Sequence, residues 1–365
     1  MTKVKVGIIG CGNISSIYME NIPSFDHLDL VACADLDVSR AQAQAEKYQL
    51  SKAYTVQEML DDSEIDLIIN LTIPKAHAEV CVKALEAGKH VYVEKPLAVS
   101  REEGTLILDV AKEKGLLVGS APDTFLGGGI QTALHLINAG EIGVPIGASA
   151  FMIGRGHEHW HPDPAFYYDV GGGPMFDMGP YYLTALIALL GPIKRLSGLA
   201  RISYPERTVS SKPKAGTKIP VKTATHISGT LDFASGAVGT ITTSFDAFGG
   251  SSLPPIEIYG SEGTLLVPDP NNFGGSVKLR KRDEKEFSDI PLTHQYQDNS
   301  RGIGVADMAK AIQSGAPHRA NGQLAFHVLE AMHGFHDSSE SGIFYEMKST
   351  CEKPEPFPIE HTISN

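Results

Sequence analysis

The sequence predicts a protein of two domains, an α/β domain with a parallel sheet and then an α+β domain with one large, mostly antiparallel sheet. Three observations support this fold class. The 365 residues suffice for two domains of ordinary size. In the first third, short β-branched runs alternate with amphipathic stretches, which is typical of a parallel sheet covered by helices on both faces. Later in the chain, from residue 147, strand-like runs predominate. We place the domains at residues 1–125 and 126–365.

The first domain is predicted to alternate strands with helices. Its β-branched runs predict strands at residues 4–9, 28–34, 67–70, 90–93 and 116–119. Helical periodicity predicts helices at residues 14–22, 39–48, 76–87 and 101–114. Gly88 and Gly115 stand where a left-handed residue would end the preceding helix.

The second domain is predicted to be rich in strands. These lie at residues 147–153, 196–202, 226–233, 237–244, 256–259, 263–267 and 277–279. Ser235-Gly236 separates two alternating runs and predicts a hairpin, so the sheet should be largely antiparallel. Residues 205–220 are rich in Lys and Arg and predict an exposed loop or excursion. Two late helices are predicted at residues 305–314 and 324–338.

The composition argues against several classes of protein. Lys and Arg number 31 against 43 Asp and Glu, a formal charge of -12, so we expect no nucleic-acid partner and no polybasic membrane contact. The apolar runs fall short of the ~20 residues that a bilayer span needs. Four cysteines without a CxxC spacing favour a reducing compartment and argue against structural zinc. The N-terminal residues predict a strand rather than a signal peptide, so we expect a cytoplasmic protein.

A glycine-rich turn, Gly10-x-Gly12-x-x-Ser15, follows the first predicted strand. In a dinucleotide-binding turn the first glycine permits the tight bend and the second lets the backbone approach a pyrophosphate. Asn13 and Ile14 complete this turn and are predicted to contact the cofactor with it. Such turns also occur for packing alone, and that alternative stays open.

The second predicted strand ends at an acidic residue, Asp35, where a dinucleotide-binding domain places the acid that binds the ribose hydroxyls. The next residue is Leu36, where a protein that accepts a ribose phosphate would more often have Ser or Arg. We therefore predict NAD rather than NADP, although Arg40 could reach a phosphate. The alternative for Asp35 is an ordinary solvated loop acid.

Four further segments resemble one known family. They are residues 72–77, residues 85–98 around Glu94-Lys95-Pro96, residues 139–143 and the glycine-rich residues 171–179. With the glycine-rich turn, they resemble the Gfo/Idh/MocA oxidoreductases over most of the chain. The resemblance implies a Rossmann domain followed by a domain with an open, mostly antiparallel sheet. It also implies a homodimer or homotetramer that associates through this sheet.

The resemblance places Lys95 in the active site, beside the nicotinamide and the substrate hydroxyl. There an ammonium polarises the hydroxyl and stabilises a developing alkoxide. It further implies that Thr72, His77 and Glu94 line the cofactor and that Pro96 follows a cis peptide bond. Outside this motif, a Lys after a Glu is usually a solvated ion pair. The residues after Thr72 depart from the usual Thr-Pro-Asn of the family, which leaves the role of His77 less certain.

Family dehydrogenases carry Asp-x-x-x-His after the glycine-rich segment, with the His as general acid or base. This chain has Asp177 and, four residues later, Tyr181, a spacing that places both on one helical face. The resemblance implies that Lys95, Asp177 and Tyr181 are catalytic, with a phenol of reference pKa about 10 acting as base if Lys95 stabilises the phenolate. Alternatively, Asp177 caps a helix that begins close to it, with Pro180 in the first turn, and Tyr181 is a core aromatic.

Residues 155–162 concentrate three histidines, Glu158 and the single Trp in a short span. In an extended strand His157, His159 and His161 would share one face and could bind a metal. We favour substrate binding and no metal, because hydride transfer to NAD needs none and the family builds its substrate pocket here; a solvated loop is the third possibility. The predicted substrate contacts, with the indole stacked on a sugar ring, are Arg155, His157, Trp160, His161 and Tyr168.

These residues predict an NAD-dependent oxidoreductase that removes a hydride from a secondary hydroxyl of a sugar, glycoside or cyclic polyol. The cofactor half and the substrate half are expected to meet near Lys95 and Asp177. Two alternatives stay open. One is a redox-neutral, NAD-dependent glycosidase, and the other is a non-catalytic sensor of sugar or NAD.

Overall fold

A computed structural model describes residues 2–359 of the chain. Contacts within the chain divide it into two compact units. The first unit comprises the chain up to Gly127, His294–Leu329 and the segment that begins at Phe357, and the second comprises Gly128–Thr293 and Glu330–Pro356. The predicted domain limits, 1–125 and 126–365, remain a prediction. The compact units also divide the chain near this point, but the first unit includes two later segments.

The first unit is built on a parallel sheet, six-stranded over the described residues, in the order β3-β2-β1-β4-β5-β6. Its strands are β1 (Val4–Ile9), β2 (Leu28–Ala34), β3 (Lys52–Tyr54), β4 (Leu67–Asn70), β5 (His90–Val93) and β6 (Val118–Ser120). Its helices between the strands are α1 (Ser15–Asn21), α2 (Val38–Tyr48), α3 (Val56–Asp61), α4 (His77–Glu86) and α5 (Arg101–Lys114). This strand order is that of the doubly wound dinucleotide-binding fold, which places ligands at the carboxyl ends of the strands.

Local signals explain why these helices begin and end where they do. Asp37 caps α2 by accepting the N–H of Ser39, and Ser100 and Glu103 form a capping box at the start of α5. Gly115 ends α5 in the left-handed conformation, as predicted. The predicted strands β1, β2, β4 and β5 are confirmed. The short elements β3 and α3 were not predicted, because three and six residues carry too little periodicity.

The second unit contains one mixed sheet, nine-stranded in the part of the chain that the structure describes, in the order β16-β15-β14-β13-β7-β12-β11-β8-β17. Among the described strands of this sheet, only β7 and β12 pair in parallel. The elements from Gly128 to Ile290 are α6 (Gly128–Asn138), β7 (Pro145–Ile153), α7 (Gly173–Leu190), β8 (Ile193–Arg201), β9 (Glu206–Thr208), β10 (Lys218–Pro220), β11 (His226–Phe233), β12 (Val238–Ser244), β13 (Ile256–Gly260), β14 (Gly263–Val267), β15 (Val277–Lys281) and β16 (Ser288–Ile290). The late elements of the chain are α8 (Ile303–Ser314), α9 (Gly322–Ser341) and β17 (Tyr345–Glu346).

The two faces of this sheet differ. Buried apolar side chains such as Ile227, Leu231 and Ile241 lie on the face against which α7 packs. The opposite face, which we call the open face, carries hydroxyl pairs between neighbouring strands, including Ser197 with Thr230 at 2.7 Å. The strand pairs confirm the prediction of a largely antiparallel sheet. The alternation of buried apolar and exposed polar side chains along the strands shows that one side of it is covered.

The prediction of an exposed loop or excursion at residues 205–220 is right in part, because this segment lies outside the large sheet and its residues 212–218 are exposed. Its ends form the antiparallel pair β9 and β10, which is not part of the large sheet. Val209 and Ile219 are buried, and so is the charged Arg207. The basic residues suggested exposure, but buried apolar side chains alternate with them. The helix α6 was not predicted, because it begins with two glycines, which have low helix propensity. Among residues 2–359, none of the helices combines the length and apolar character needed to cross a membrane.

Candidate functional site in two halves

The glycine-rich turn after β1 has the geometry of a dinucleotide-binding turn. Gly10 has φ +103°, and a Cβ there would lie 2.7 Å from the backbone of Leu71. A Cβ on Gly12 would meet no protein atom within 4 Å, so this side of the turn offers space for a ligand. Ser15 replaces the third glycine of the pattern, and its hydroxyl donates to the carbonyl of Gly12 at 2.7 Å.

The carboxylate of Asp35 is tied to this turn. Its Oδ2 accepts the N–H of Cys11 at 2.8 Å, and its Oδ1 accepts the N–H of Asp37 at 3.0 Å. A carboxylate has about four acceptor sites, so both oxygens retain capacity for ribose hydroxyls. Arg40 lies 3.6 Å from the carboxylate of Asp37, and Leu36 is 95% exposed. Two acids with one exposed apolar neighbour fit the unphosphorylated ribose and the adenine of NAD.

The loops after β4 and β5 are joined by Asn70 and His77. Oδ1 of Asn70 accepts the hydroxyl and the N–H of Thr72, at 2.7 and 3.2 Å. The ring nitrogens of His77 lie 2.7 Å from the carbonyl of Pro96 and 3.1 Å from that of Thr72. Burial lowers the pKa of His77. The buried ring therefore supports the two loops, and its direct contact with a cofactor stays a prediction.

Glu94 faces the interior of the first unit. It is 9% exposed, and it accepts the hydroxyl of Tyr18 and the N–H of Lys95, both at 2.9 Å. Burial raises the pKa of Tyr18 well above its usual value, so the phenol keeps its proton and donates it. The carboxylate thus links α1 to the loop that carries Lys95. The bond between Lys95 and Pro96 is cis, as the resemblance implied.

Asp177 lies within α7 and does not cap it. The helix begins at Gly173 with Gly172 as its N-cap, so the predicted start near Asp177 is wrong. Pro174 in the first turn explains the earlier start, and it leaves Pro180 in the helix interior rather than in the first turn. Tyr181 is only 7% exposed, in agreement with either a core or a site residue.

His157 contacts Asp177 from a loop 20 residues earlier in the chain. Its Nε2 lies 3.0 Å from Oδ2 of Asp177, and the indole Nε1 of Trp160 donates to its Nδ1 at 3.1 Å. Because an indole nitrogen only donates, Nδ1 carries the lone pair, and the imidazole proton resides on Nε2, which donates to Asp177. The structure thus brings together a predicted substrate residue and a predicted catalytic residue.

The segment that carries His157 is a turn, so the predicted extended strand is wrong. The N–H groups of Trp160 and His161 donate to the carbonyl of His157, at 3.2 and 3.0 Å. The three histidine rings therefore do not form a row. Over residues 2–359 no three His, Cys, Asp or Glu side chains gather as metal ligands.

Beneath this turn lies a buried charged network. Glu158 is 2.7 Å from Arg207, which is also 3.0 Å from Asp246. Tyr168 donates its hydroxyl to Glu158 and is 0% exposed. Full burial argues against the predicted contact of Tyr168 with substrate. Together these groups hold the turn in place.

An aromatic surface extends outward from His157. Its ring centroid lies 4.0 Å from that of Tyr167, which lies 4.0 Å from that of Phe166. Trp160 and Phe166 are 55% and 56% exposed. The predicted substrate contacts Arg155 and His161 lie on the same turn, Arg155 exposed and His161 partly exposed. Exposed rings beside polar groups suit a carbohydrate, which offers apolar ring faces and hydroxyl edges.

Some residues of the site were not predicted, and they differ in whether the sequence carries a signal that could have identified them. Asn70 ends an otherwise apolar strand, and a polar residue at the carboxyl end of a buried parallel strand is a usable signal. Nothing in the sequence around Tyr18 or Arg207 distinguishes them from ordinary helix and loop residues.

Two family models match the chain. An oxidoreductase family model with an NAD-binding Rossmann fold matches residues 4–121, and a GFO/IDH/MocA C-terminal domain model matches residues 130–266. Both matches agree with the strand orders described above.

The chain is also similar to several named proteins. A myo-inositol 2-dehydrogenase from Thermotoga maritima is 25% identical, over 88% of this chain and 91% of the relative. An NAD(+)-dependent scyllo-inositol 2-dehydrogenase from Bacillus subtilis is 28% identical, over 73% of this chain and 74% of the relative. Among solved structures, an NAD-binding oxidoreductase from Klebsiella pneumoniae is similar with a TM-score of 0.83 at 22% identity, covering 95% and 99% of the two chains. Levoglucosan dehydrogenase in complex with NADH and L-sorbose is similar with a TM-score of 0.81 at 21% identity, also covering 95% and 99%.

Proposed function

This chain belongs to the Gfo/Idh/MocA family of NAD-binding oxidoreductases, and from that premise we propose that it oxidises a secondary hydroxyl of a sugar, glycoside or cyclic polyol. The observation that carries the proposal is the pair of Asp177 and His157 at 3.0 Å, beside an exposed aromatic surface. A carbinol needs a group that accepts its hydroxyl proton, and a carbohydrate ring needs an apolar platform. The second unit offers both.

NAD, when bound, supplies the acceptor for the hydride. The first unit would hold it through the space beside Gly12 and the carboxylate of Asp35, with Leu36 and Thr72 as further contacts. The ammonium of Lys95 polarises the hydroxyl and stabilises the alkoxide character that develops as the proton leaves. We propose two candidates for the group that accepts this proton, the phenol of Tyr181 on α7 and the imidazole of His157.

We propose NAD in preference to NADP. The carboxylates of Asp35 and Asp37 lie at the end of β2, and Arg40 faces Asp37. A ribose phosphate would bring two more negative charges beside these acids. Repulsion then favours the unphosphorylated ribose.

The names of similar proteins support the choice of substrate class. The relatives include inositol dehydrogenases and a levoglucosan dehydrogenase, whose substrates are cyclic polyols and an anhydrosugar. The charge of Arg207, a buried cation near the turn, is already paired with Glu158 and Asp246 and is not available to a substrate.

The decisive experiment is a screen of the purified chain with NAD and with NADP against inositols, free sugars, anhydrosugars and glycosides. We expect NADH absorbance at 340 nm with at least one neutral polyol, and slower turnover with NADP. Lys95→Met should then lower kcat by roughly 10²–10⁴-fold while NADH still quenches protein fluorescence. Binding of NADH without turnover of any polyol would refute the oxidoreductase proposal.

We further propose that copies of the chain associate through the open face of the large sheet. Leu199 is 76% exposed and Val238 is 58% exposed on this face, among paired hydroxyl side chains. Exposed apolar side chains on a flat sheet face are typical of an interface.

A further inference from the structure

We propose that Nδ1 of His157, in the second unit, accepts the proton of the substrate hydroxyl. In this role His157 replaces the imidazole that the family places four residues after the aspartate of α7. The inference rests on the proposed function. It concerns which side chain takes the hydroxyl proton, for which the resemblance implied Tyr181.

The pairing of His157 with Asp177 has the form that a general base requires. One ring nitrogen donates to a carboxylate, which sets the tautomer and stabilises the imidazolium that forms, while the other nitrogen carries the lone pair. Here Nε2 is the nitrogen on Asp177, at 3.0 Å, and Nδ1 is the acceptor. Each side chain is 15% exposed, so the pair is sheltered from water but within reach of a ligand.

The position of the ring is well determined. Phe245 contacts it edge-on with centroids 4.7 Å apart, and Tyr167 lies against it at 4.0 Å. The N–H of His157 donates to the Tyr168 hydroxyl at 3.3 Å, and that hydroxyl donates to Glu158. Because the buried Glu158 and Arg207 anchor this turn, Nδ1 is held in one direction.

Trp160 shows where a substrate hydroxyl would bind. Its indole N–H donates to Nδ1 at 3.1 Å, so this atom already accepts one donor. The indole is 55% exposed and can swing outward at little cost, which leaves the acceptor to an incoming O–H group. One hydrogen bond replaces another, and the displaced indole stays near the carbohydrate ring that has arrived.

The alternative acceptor is less suited to neutral pH. A phenol has a reference pKa of about 10 and an imidazole one of about 6.5, so an imidazole is the better matched base near pH 7. The groups that face His157 are Asp177 from α7, the Tyr167 and Tyr168 phenols, and Arg155 and His159 of its own turn. Among these, Asp177 forms a hydrogen bond with the ring itself, at 3.0 Å.

The step balances as follows. The carbinol C–H bond breaks with its electron pair, and this hydride reduces NAD⁺ to NADH. The O–H bond breaks, its proton passes to Nδ1 of His157, and the oxygen electrons form the C=O bond of a ketone. The imidazolium, paired with Asp177, later releases the proton to water.

The resting tautomer can be tested without substrate. In a ¹⁵N-labelled sample of the cofactor-free protein, the histidine ring nitrogens are observed by two-bond ¹H–¹⁵N correlation, and His157 is assigned by its loss in His157→Gln. We expect an unprotonated Nδ1 and a protonated Nε2. A protonated Nδ1 would overturn the proposal and leave the oxidoreductase function untouched.

The kinetic test compares three variants on the polyol found in the screen. His157→Gln should lower kcat by roughly 10²–10⁴-fold. The fall of kcat at low pH, which we attribute to protonation of His157, should disappear in this variant, and the dissociation constant of NADH should stay unchanged. Tyr181→Phe should keep most of the activity and the fall of kcat at low pH. His159→Gln, which removes an imidazole from the same turn, is the matched control and should behave like the wild type.

Circular dichroism and thermal melts establish that the variants are folded. If His157→Gln does not fold, the ring of His157 is assigned in the wild type by through-bond correlation to its backbone, and the tautomer measurement still decides. Near-normal kcat and pH profile in His157→Gln, or a loss in Tyr181→Phe as large as that in His157→Gln, would contradict the role of His157. A wild type that turns over no polyol would instead refute the proposed function, and with it this step.

Discussion

At the scale of single residues, we propose that side chains at the end of β2 decide which cofactor the first unit prefers. Asp35 is the clearest case, because its carboxylate accepts two backbone N–H groups of adjacent turns and is thereby held at the end of β2. An acid at this position follows from the spacing of the turn and the second strand. Its two backbone contacts do not follow, since they depend on how two separate loops meet.

We predict that Asp35→Asn weakens NADH binding by about tenfold, because hydrogen bonds to a charged group contribute roughly 1.5–3 kcal/mol. Binding of NADPH should improve, since the substitution removes a negative charge beside the ribose phosphate. Fluorescence titration with both nucleotides measures the two dissociation constants. Asp29→Asn, an exposed acid at the other end of β2, is the control and should change neither. Equal affinity of Asp35→Asn and wild type for NADH would refute the role of Asp35.

Other residues have roles that only the folded chain reveals. The resemblance implied that His77 lines the cofactor; its ring lies between the carbonyls of Thr72 and Pro96, and its contact with a cofactor stays a prediction. Tyr168 was expected to face the substrate, but its hydroxyl bonds to Glu158 in the core. In both cases the folded chain supplies polar partners that the sequence does not show.

At the scale of elements, the pair β9 and β10 supports the turn that carries His157. Arg207 on β9 is 3% exposed and bonds to Glu158, Asp246 and two carbonyl oxygens. A network of this kind is costly to break because each remaining charge stays buried. The basic composition of residues 205–220 did not distinguish this buried cation from the exposed ones around it.

We predict that Arg207→Met lowers the free energy of unfolding by about 3–5 kcal/mol, because two buried carboxylates lose their cation. Urea unfolding followed by circular dichroism measures the change. Lys214→Met breaks an exposed pair with Asp163 in the same segment and should cost at most about 1 kcal/mol. Similar losses in the two variants would show that the Arg207 network contributes little.

The start of α7 illustrates why helix limits are hard to predict. Pro180 suggested a first turn near Asp177, because proline is best tolerated there. The structure instead begins the helix at Gly173 and places Pro180 inside it. Burial of nearly every side chain of α7 against the sheet outweighs the one backbone hydrogen bond that Pro180 cannot donate.

At the scale of the whole molecule, the proposed association of copies through the open face of the large sheet can be tested by substitution. We predict that Leu199→Glu combined with Val238→Glu converts an oligomer into monomers, because two charges would be buried at the interface. Light scattering after gel filtration measures the mass. Leu106→Glu, which places a charge on the exposed side of α5, is the control and should leave the mass unchanged. An unaltered mass of the double variant would exclude this face.

Stability of the first unit should depend on pH through Asp123. This carboxyl is 1% exposed, accepts the N–H groups of Gly302 and Gly304, and has its pKa raised by burial from 3.8 to about 6. A carboxyl with a raised pKa binds more protons in the folded state than in the unfolded state between these values. Its favourable contribution is complete below about pH 4 and is lost as the pH rises through 6.

We therefore predict that the difference in free energy of unfolding between wild type and Asp123→Asn changes by roughly 2 kcal/mol between pH 4 and pH 7, with the variant relatively more stable at pH 7. Urea titrations across this range give the difference at each pH. A constant difference would mean that the pKa of Asp123 is not raised in the folded state.

The amino-acid sequence was enough to establish the two architectures, the strands β1, β2, β4 and β5, the glycine-rich turn with Asp35, and the cis bond before Pro96. These features depend on local periodicity, on spacing along the chain and on a motif. The tertiary structure alone revealed the burial of Tyr168 and Arg207 and the pairing of His157 with Asp177. The physical reason is that a side chain's partner is set by which loops meet in space, and residues 20 apart on a turn and a helix leave no periodic trace of their contact.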